Sequence, residues 1–190
     1  YLTKQKVNNV GNENLNSCNK EPLINNYSKK SEWTSWGFDH FNTRFQPVSN
    51  INASNLNKLN LKWSFGLKET DTRGQPIVIG DIVFISGKSL HAIDKETGCS
   101  YWSFTPKSSA GFRNSPVFDT TNRNSIYVVD SNFMVYKLNI KDGSIAWKTK
   151  IDKEFESNTS SASPVFGGNY LFIPVSTYET VMAIDPNYEC

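Results

Sequence analysis

The sequence predicts an all-β chain, the N-terminal part of a β-propeller with about three blades present. Three observations point there. Short apolar runs alternate with turn residues along most of the chain beyond residue 75. One motif, A-x-D-x-x-T-G-x-x-x-W, recurs at a near-regular interval. No stretch after residue 60 carries the 3.6-residue period of an amphipathic helix.

Each element follows from its own residues. Residues 1–32 are polar, with eight Asn in the first thirty, and read as an N-terminal arm or linker without regular structure. "WTSWGFDHFNTRF" (33–45) is dense in aromatics but keeps no clean period. A strand is expected at 59–65, at the end of a degenerate early copy of the repeated motif. The first repeat, about 75–104, places "PIVIGDIVFISG" around a Gly-Asp turn and "LHAID" and "YWSF" around "KETG". The second, about 115–150, has "SPVFDTTNRNSIYVVD" and "FMVYKLNIKDGSIAWKT". The third, about 162–190, has "SPVFGGNYLFIPVS" and "ETVMAIDPNYEC". Residues 33–190 thus form one incomplete propeller domain.

The motif fixes the architecture. "AIDKETGCSYW" (92–102) supplies Ala92, Asp94, Thr97, Gly98 and Trp102. Aligned on its glycine, "KLNIKDGSIAW" supplies Lys137, Asn139, Asp142, Gly143 and Trp147. "AIDPNYEC" supplies Ala183 and Asp185 and stops before any Trp, and a degenerate earlier copy supplies Ala53, Asn55 and Trp63. The copies begin at 53, 92, 137 and 183, spacings of 39, 45 and 46 residues. Four strands in a unit of about 40–50 residues is the propeller-blade signature. The Asp or Asn can bond its own turn, the Gly gives the positive φ of a tight turn, and the Trp can fill the space between blades. Four unrelated hairpins in a sandwich are the alternative, and the shared Gly and Trp offsets argue against it. Three blades cannot close a ring, and the third repeat lacks its last strand. A longer propeller is therefore expected, with the far end of the chain completing the blade begun at 59–65.

Composition excludes several classes. The chain of 190 residues is 37% hydrophobic and 13% aromatic, enough for a packed core, and its net charge is +2. No Lys/Arg block suggests nucleic acid. No apolar run is long enough for a membrane span, and no secretory signal is visible. The chain begins without Met, so a preceding piece is expected. Cys18, Cys99 and Cys190 form no CxxC pair and read as three separate thiols, one long-range disulfide being the alternative. The sequons at Asn26, Asn52 and Asn158 arise readily in an Asn-rich chain. His40 and His91 are not spaced as a metal pair and read as structural or surface residues.

The repeated motif resembles the tryptophan docking motif of pyrroloquinoline quinone (PQQ)-dependent alcohol dehydrogenases, which are eight-bladed propellers. "NTRFQPVSNINASNLNKLNLKWSF" (42–65) resembles their opening segment, and "WGFDHFNTRF" is most similar to the polyvinyl-alcohol-dehydrogenase-like branch. The resemblance covers about residues 33–190. It implies hydride transfer from an alcohol, small or polymeric, to PQQ with calcium assistance. It further implies a cytochrome c acceptor and a periplasmic location. It places Arg113 of "GFRNSP" against a cofactor carboxylate, Thr159 or Ser161 of "NTSSASP" and Ser176 of "PVSTYE" as further cofactor contacts, and Glu179 as a calcium ligand.

Some family features differ. Arg73 and Asp71 stand near the place of a Glu often found in the first repeat, and Lys107 and Ser108 occupy the region of a vicinal disulfide. Cys190 matches the first cysteine of a "Tyr-x-Cys-Cys" found in the polyvinyl-alcohol branch. The family's catalytic Asp belongs to later blades, so no catalytic residue is assigned in this chain. A non-catalytic propeller scaffold of the outer-membrane protein assembly type shares the blade motif and is the alternative reading, followed by a propeller sensor or other binding module.

Overall fold

The computed structural model describes residues 16–24, 32–39, 41–67, 73–107, 111–151, 162–175 and 179–187. They form three antiparallel sheets in chain order. Blade 1 is β1 (Ile77–Ile79), β2 (Ile82–Ser86), β3 (Leu90–Asp94) and β4 (Ser100–Phe104). Blade 2 is β5 (Val117–Phe118), β6 (Ser125–Val129), β7 (Met134–Asn139) and β8 (Ile145–Lys150). Blade 3 is β9 (Val165–Gly167), β10 (Tyr170–Val175) and β11 (Thr180–Ile184). Every strand pairs with its neighbour in sequence, the meander that a propeller blade requires.

The blades stack face to face, which explains why the middle strands are apolar on both sides. In β6, Ile126 and Val128 pack toward blade 1 with Ile79, Phe84 and Leu90. The alternate residues Tyr127 and Val129 pack toward blade 3 with Leu171 and Ile173. With side chains alternating every residue, a strand between two blades has no face left for polar groups. On the other face of blade 1, buried His91 lies against the Phe65 ring, with centroids 5.3 Å apart, which gives this histidine a structural role.

The repeated motif performs the docking expected of it. Asp94 Oδ1 accepts hydrogen bonds from the Glu96 and Thr97 amides and from Thr97 Oγ1, closing the turn from within. Gly98 and Gly143 have φ of +74° and +71°. The tryptophan of the preceding copy covers each of them: a Cβ at Gly98 would come within 2.8 Å of the Trp63 ring, and one at Gly143 within 2.5 Å of the Trp102 ring. Each indole N–H then donates to the carbonyl that follows the next motif's Asp or Asn. Trp63 donates to Lys95 (2.9 Å), Trp102 to Ile140 (3.1 Å) and Trp147 to Pro186 (3.3 Å). One contact is thus made three times.

The segments before blade 1 are bound to it at both edges. On the outer edge, Ser17 bridges Ser100 of β4 in parallel, Cys18 N donates to Ser100 O (2.9 Å) and Ser100 N donates to Asn16 O (2.8 Å). Cys18 and Cys99 form a disulfide across 81 residues, with Cα atoms 5.2 Å apart. The expectation of three separate thiols is therefore corrected. Closing so long a loop removes unfolded-chain entropy on the order of 2–4 kcal/mol, and parallel pairing with β4 has already brought the two cysteines together. Ile24 of the same arm is 4% exposed and packs into the core beneath blade 1. On the inner edge, Trp33 and Val78 exchange both backbone hydrogen bonds. Glu32 reaches blade 2 as well, held by both terminal nitrogens of Arg123 in the β5–β6 turn, at 2.6 and 3.1 Å.

Residues 59–65, where a strand is expected, pair with no other strand among the described residues. A short 3₁₀ turn covers Leu56–Lys58, and residues 59–67 run on with no ladder partner among the described residues. A strand exists only through its partner's hydrogen bonds. Here Leu59 and Leu61 stay exposed, while Trp63 anchors the segment on Gly98.

Two measurements test this packing. Gly143→Ala should cost roughly 2–4 kcal/mol in urea denaturation, combining the left-handed backbone with overlap on Trp102. Gly168→Ala, at φ +60° with nothing within 4 Å, should cost about 1 kcal/mol. Equal costs would contradict the docking role. The second concerns Asp94, whose side chain is fully buried. Burial pushes its carboxyl up, but the Lys20 ammonium 2.8 Å away, the Tyr101 and Thr97 hydroxyls and the Thr97 amide outweigh it and hold it well below the usual range. Because the folded value lies below the unfolded one, near 3.9, this stability is present above about pH 4 and drains away as pH falls further. Wild type should therefore lose stability between pH 5 and 2 more steeply than Asp94→Asn in pH-dependent denaturation.

Candidate functional site

The antiparallel meander sorts the connections by end. The β4–β5 connection and the β2–β3, β6–β7 and β10–β11 turns all fall at one end of the blades. Arg113 and Glu179 therefore share that end, on blades 2 and 3. Thr159, Ser161 and Ser176 lie outside the described residues, as do His40, Asp71, Ser108 and Cys190.

The backbone around Arg113 is tied down on both sides. Gly111 O accepts from the Ser131 amide (3.0 Å) and hydroxyl (3.3 Å) of the β6–β7 turn. Phe112 N donates to Gly87 O (2.6 Å) in the β2–β3 turn, and its ring is buried against Phe104 and Tyr136. Asn114 O accepts from Ser86 Oγ (2.5 Å), and Asn114 Nδ2 donates to Val129 O (2.9 Å). Gly74 leaves room for this approach, since a Cβ there would sit 2.5 Å from Asn114 O. From Gly111 to Asp119 every residue is buried except Arg113, which is partly exposed. Residues 111–119 are thus buried around Arg113, which is the partly exposed member of that stretch.

A second set of contacts was not anticipated from the sequence. Gln75, Ser115 and Ser163 each precede the proline that opens a blade. Ser163 Oγ accepts from Ser115 N (2.9 Å), Ser115 Oγ accepts from Gln75 N (2.6 Å), and Gln75 Oε1 accepts from Gly37 N (2.9 Å). The available signal was a side-chain acceptor recurring just before Pro76, Pro116 and Pro164. Its direction, from one blade's side chain to the preceding blade's amide, is visible only in three dimensions.

Glu179 sits in the β10–β11 turn, exposed, with φ +52°. Among the described residues no three His, Cys, Asp or Glu side chains gather closely enough to hold a metal ion. Calcium takes six to eight oxygens, so Glu179 could supply one ligand and the described residues do not complete a site. For a polycarboxylated quinone the donor chemistry does fit at Arg113. A planar guanidinium on a fixed loop can grip a carboxylate through two parallel hydrogen bonds. Asn114, fully buried beside it, keeps an Oδ1 with no hydrogen-bond partner among the described residues.

Stacked four-stranded meanders joined by Trp-on-Gly docking define a β-propeller. The chain belongs to the PQQ family described as the glucose/ethanol/alcohol dehydrogenase β-propeller domain, which matches residues 33–132. It is similar to a polyvinylalcohol dehydrogenase of Pseudomonas sp., at 28% identity over 86% of this chain and 26% of the relative. It is also similar to a 1-butanol dehydrogenase (cytochrome c) of Thauera butanivorans, at 23% identity over 75% of this chain and 22% of the relative. The quinohemoprotein alcohol dehydrogenase structure of Comamonas testosteroni superposes with a TM-score of 0.69 at 24% identity, covering 86% of this chain and 27% of that one, and so shares the fold. The chain spans about a quarter of the length of these relatives.

Proposed function

We propose that this chain forms part of a quinoprotein dehydrogenase that oxidises an alcohol, small or polymeric, and passes the electrons to a cytochrome c. The observation that carries the reading is Arg113, partly exposed in the buried and multiply tied stretch 111–119 of a propeller of the PQQ family. PQQ, when bound, supplies a quinone that accepts hydride from the alcohol carbon. The chain's own task is binding and orientation. Arg113 grips a carboxylate of the cofactor, while Thr159, Ser161 and Ser176 offer hydroxyl donors from the neighbouring connections. Glu179 contributes one carboxylate to a calcium ion whose other ligands come from beyond the described residues.

The names of the relatives support the substrate and acceptor classes. The Cys18–Cys99 disulfide supports an oxidising compartment such as the periplasm. Among the described residues no helix is long and apolar enough to cross a membrane.

The test uses the full-length protein. Arg113→Ala should weaken PQQ binding roughly 10- to 100-fold in calorimetric titration, the loss of a charge-assisted pair. Arg113→Lys should recover only part of it, because an ammonium cannot bind in the same two-pronged way. Wild type should also reduce a dye when given alcohol, PQQ and Ca²⁺. Unchanged PQQ affinity in Arg113→Ala would sink the assignment of this residue, and a wild type that neither binds PQQ nor oxidises any alcohol would sink the function.

A further inference from the structure

We propose that the hollow between the aromatic segment 33–42 and the start of blade 3 binds a neutral polyhydroxylated molecule. Trp36 is its stacking platform and Asn42 its polar edge. This deepens the alcohol-oxidising reading above by naming a substrate class, and rests on that reading for its link to catalysis.

Backbone contacts fix where the hollow lies. Trp33 pairs with Val78 of β1, and Thr34 O accepts from Phe118 N of β5 (3.4 Å). A few residues on, Ser35, Trp36 and Asn42 line one hollow of about 340 Å³ with Ser163, Pro164 and Val165. Segment 33–42 thus reaches the first strand of all three blades, so those strands converge where it runs. The opposite edge of blade 1, at β4, carries the N-terminal arm instead. The end of the blades is fixed by an amide ladder. Ser163 Oγ accepts from Ser115 N, Ser115 Oγ from Gln75 N, and Gln75 Oε1 from Gly37 N. Ser115 is two residues after Arg113. The hollow therefore opens on the inner edges of the sheets, at the end that carries Arg113.

Its lining selects the ligand. Trp36 is 45% exposed and Val165 41%, and with Pro164 they leave apolar surface bare. Ser35, Ser163, Asn42 and Asp39 set hydroxyl, amide and carboxylate groups beside that surface. None of the described residues lining the hollow is Lys or Arg. A tricarboxylated quinone would find no opposite charge there, so this is not a quinone site. A molecule with C–H faces can lie on the indole, while hydroxyls at its edge exchange hydrogen bonds with the amide and the serines. Small-molecule sites begin at roughly 300 Å³, so the space suffices for such a ligand.

The segment is also strained where it meets the hollow. Gly37, Phe38, Asn42 and Arg44 have φ of +76°, +88°, +55° and +54°. Left-handed backbone is uncommon outside glycine, and it gathers at ligand clamps. Asp39 holds the turn: Oδ1 accepts from the Phe41 and Thr43 amides and Oδ2 from the Thr43 hydroxyl, each at 3.1 Å. Gly37 makes room for the amide of Asn42, since a Cβ there would overlap Asn42 Oδ1. Trp36 and Asn42 are both exposed, so core packing does not account for the arrangement.

The experiment is a calorimetric titration of full-length protein, without PQQ, with two hydroxylated probes: a short polyvinyl alcohol oligomer and a cello-oligosaccharide. Poly(ethylene glycol) of matched length, whose chain carries ether oxygens in place of hydroxyls, is the control. At least one hydroxylated probe should bind more tightly than the control, and the one that does separates an extended polyol from a sugar ring. Trp36→Ala should weaken this binding about tenfold, and Trp36→Phe should retain most of it. Asn42→Gly removes the amide but suits the left-handed backbone, and should weaken binding less than Trp36→Ala does. No binding by wild type, equal binding of the control, or wild-type affinity in Trp36→Ala overturns the site. If Trp36→Ala does not fold, wild-type affinity in Asn42→Gly overturns it instead. These titrations need neither quinone nor turnover. A protein that binds the probe through Trp36 yet oxidises no alcohol with PQQ and Ca²⁺ keeps the site and overturns the dehydrogenase reading.

Discussion

The face of an indole on a glycine with no side chain is the contact on which this architecture depends. Trp63 on Gly98 and Trp102 on Gly143 both need a bare backbone in left-handed geometry, and both send the indole N–H to a fixed carbonyl in the same turn. The ring supplies buried apolar area, and the N–H supplies direction. Area alone would let blades slide against each other. The hydrogen bond selects one register, and repeating it blade by blade carries that register along the chain.

The two ends of the blades are fixed by different chemistry. At the docking end the contacts are large, aromatic and anchored in sharply turned backbone. At the other end the Phe112 ring packs on Phe104 and Tyr136, and beside it small polar contacts tie the loops: Ser86 to Asn114, Ser115 to Ser163, Gln75 to Gly37. A candidate cofactor surface belongs at the second end for a physical reason. Short hydroxyl and amide contacts fix loop backbone in place without filling the space above it, whereas an indole would occupy that space. The cost is sensitivity, since each buried amide has a single partner.

The legibility of the sequence divides along the same line. Blades and docking turns were legible because Gly and Trp recur at a constant offset of four residues and because β-branched runs recur between turns. Arg113 was legible only through resemblance, since nothing local separates it from any loop arginine. The disulfide was not legible, because Cys18 and Cys99 are 81 residues apart and only the pairing of Ser17 with Ser100 brings them together. The arm read as featureless because Lys20 and Ile24 show their use only against Asp94 and the core. The amide ladder was hidden because its acceptors, one glutamine and two serines, share a position and a function but no residue type.

Whether docked blades offer a fixed polar rim, with Arg113 on it, to a tricarboxylated quinone is decided by a structure of the full-length protein with PQQ. The Arg113 guanidinium should lie within hydrogen-bond distance of a quinone carboxylate, with the Ser115–Ser163 bond intact beside it. Quinone bound elsewhere on the propeller, or an Arg113 turned away from an occupied site, would contradict it.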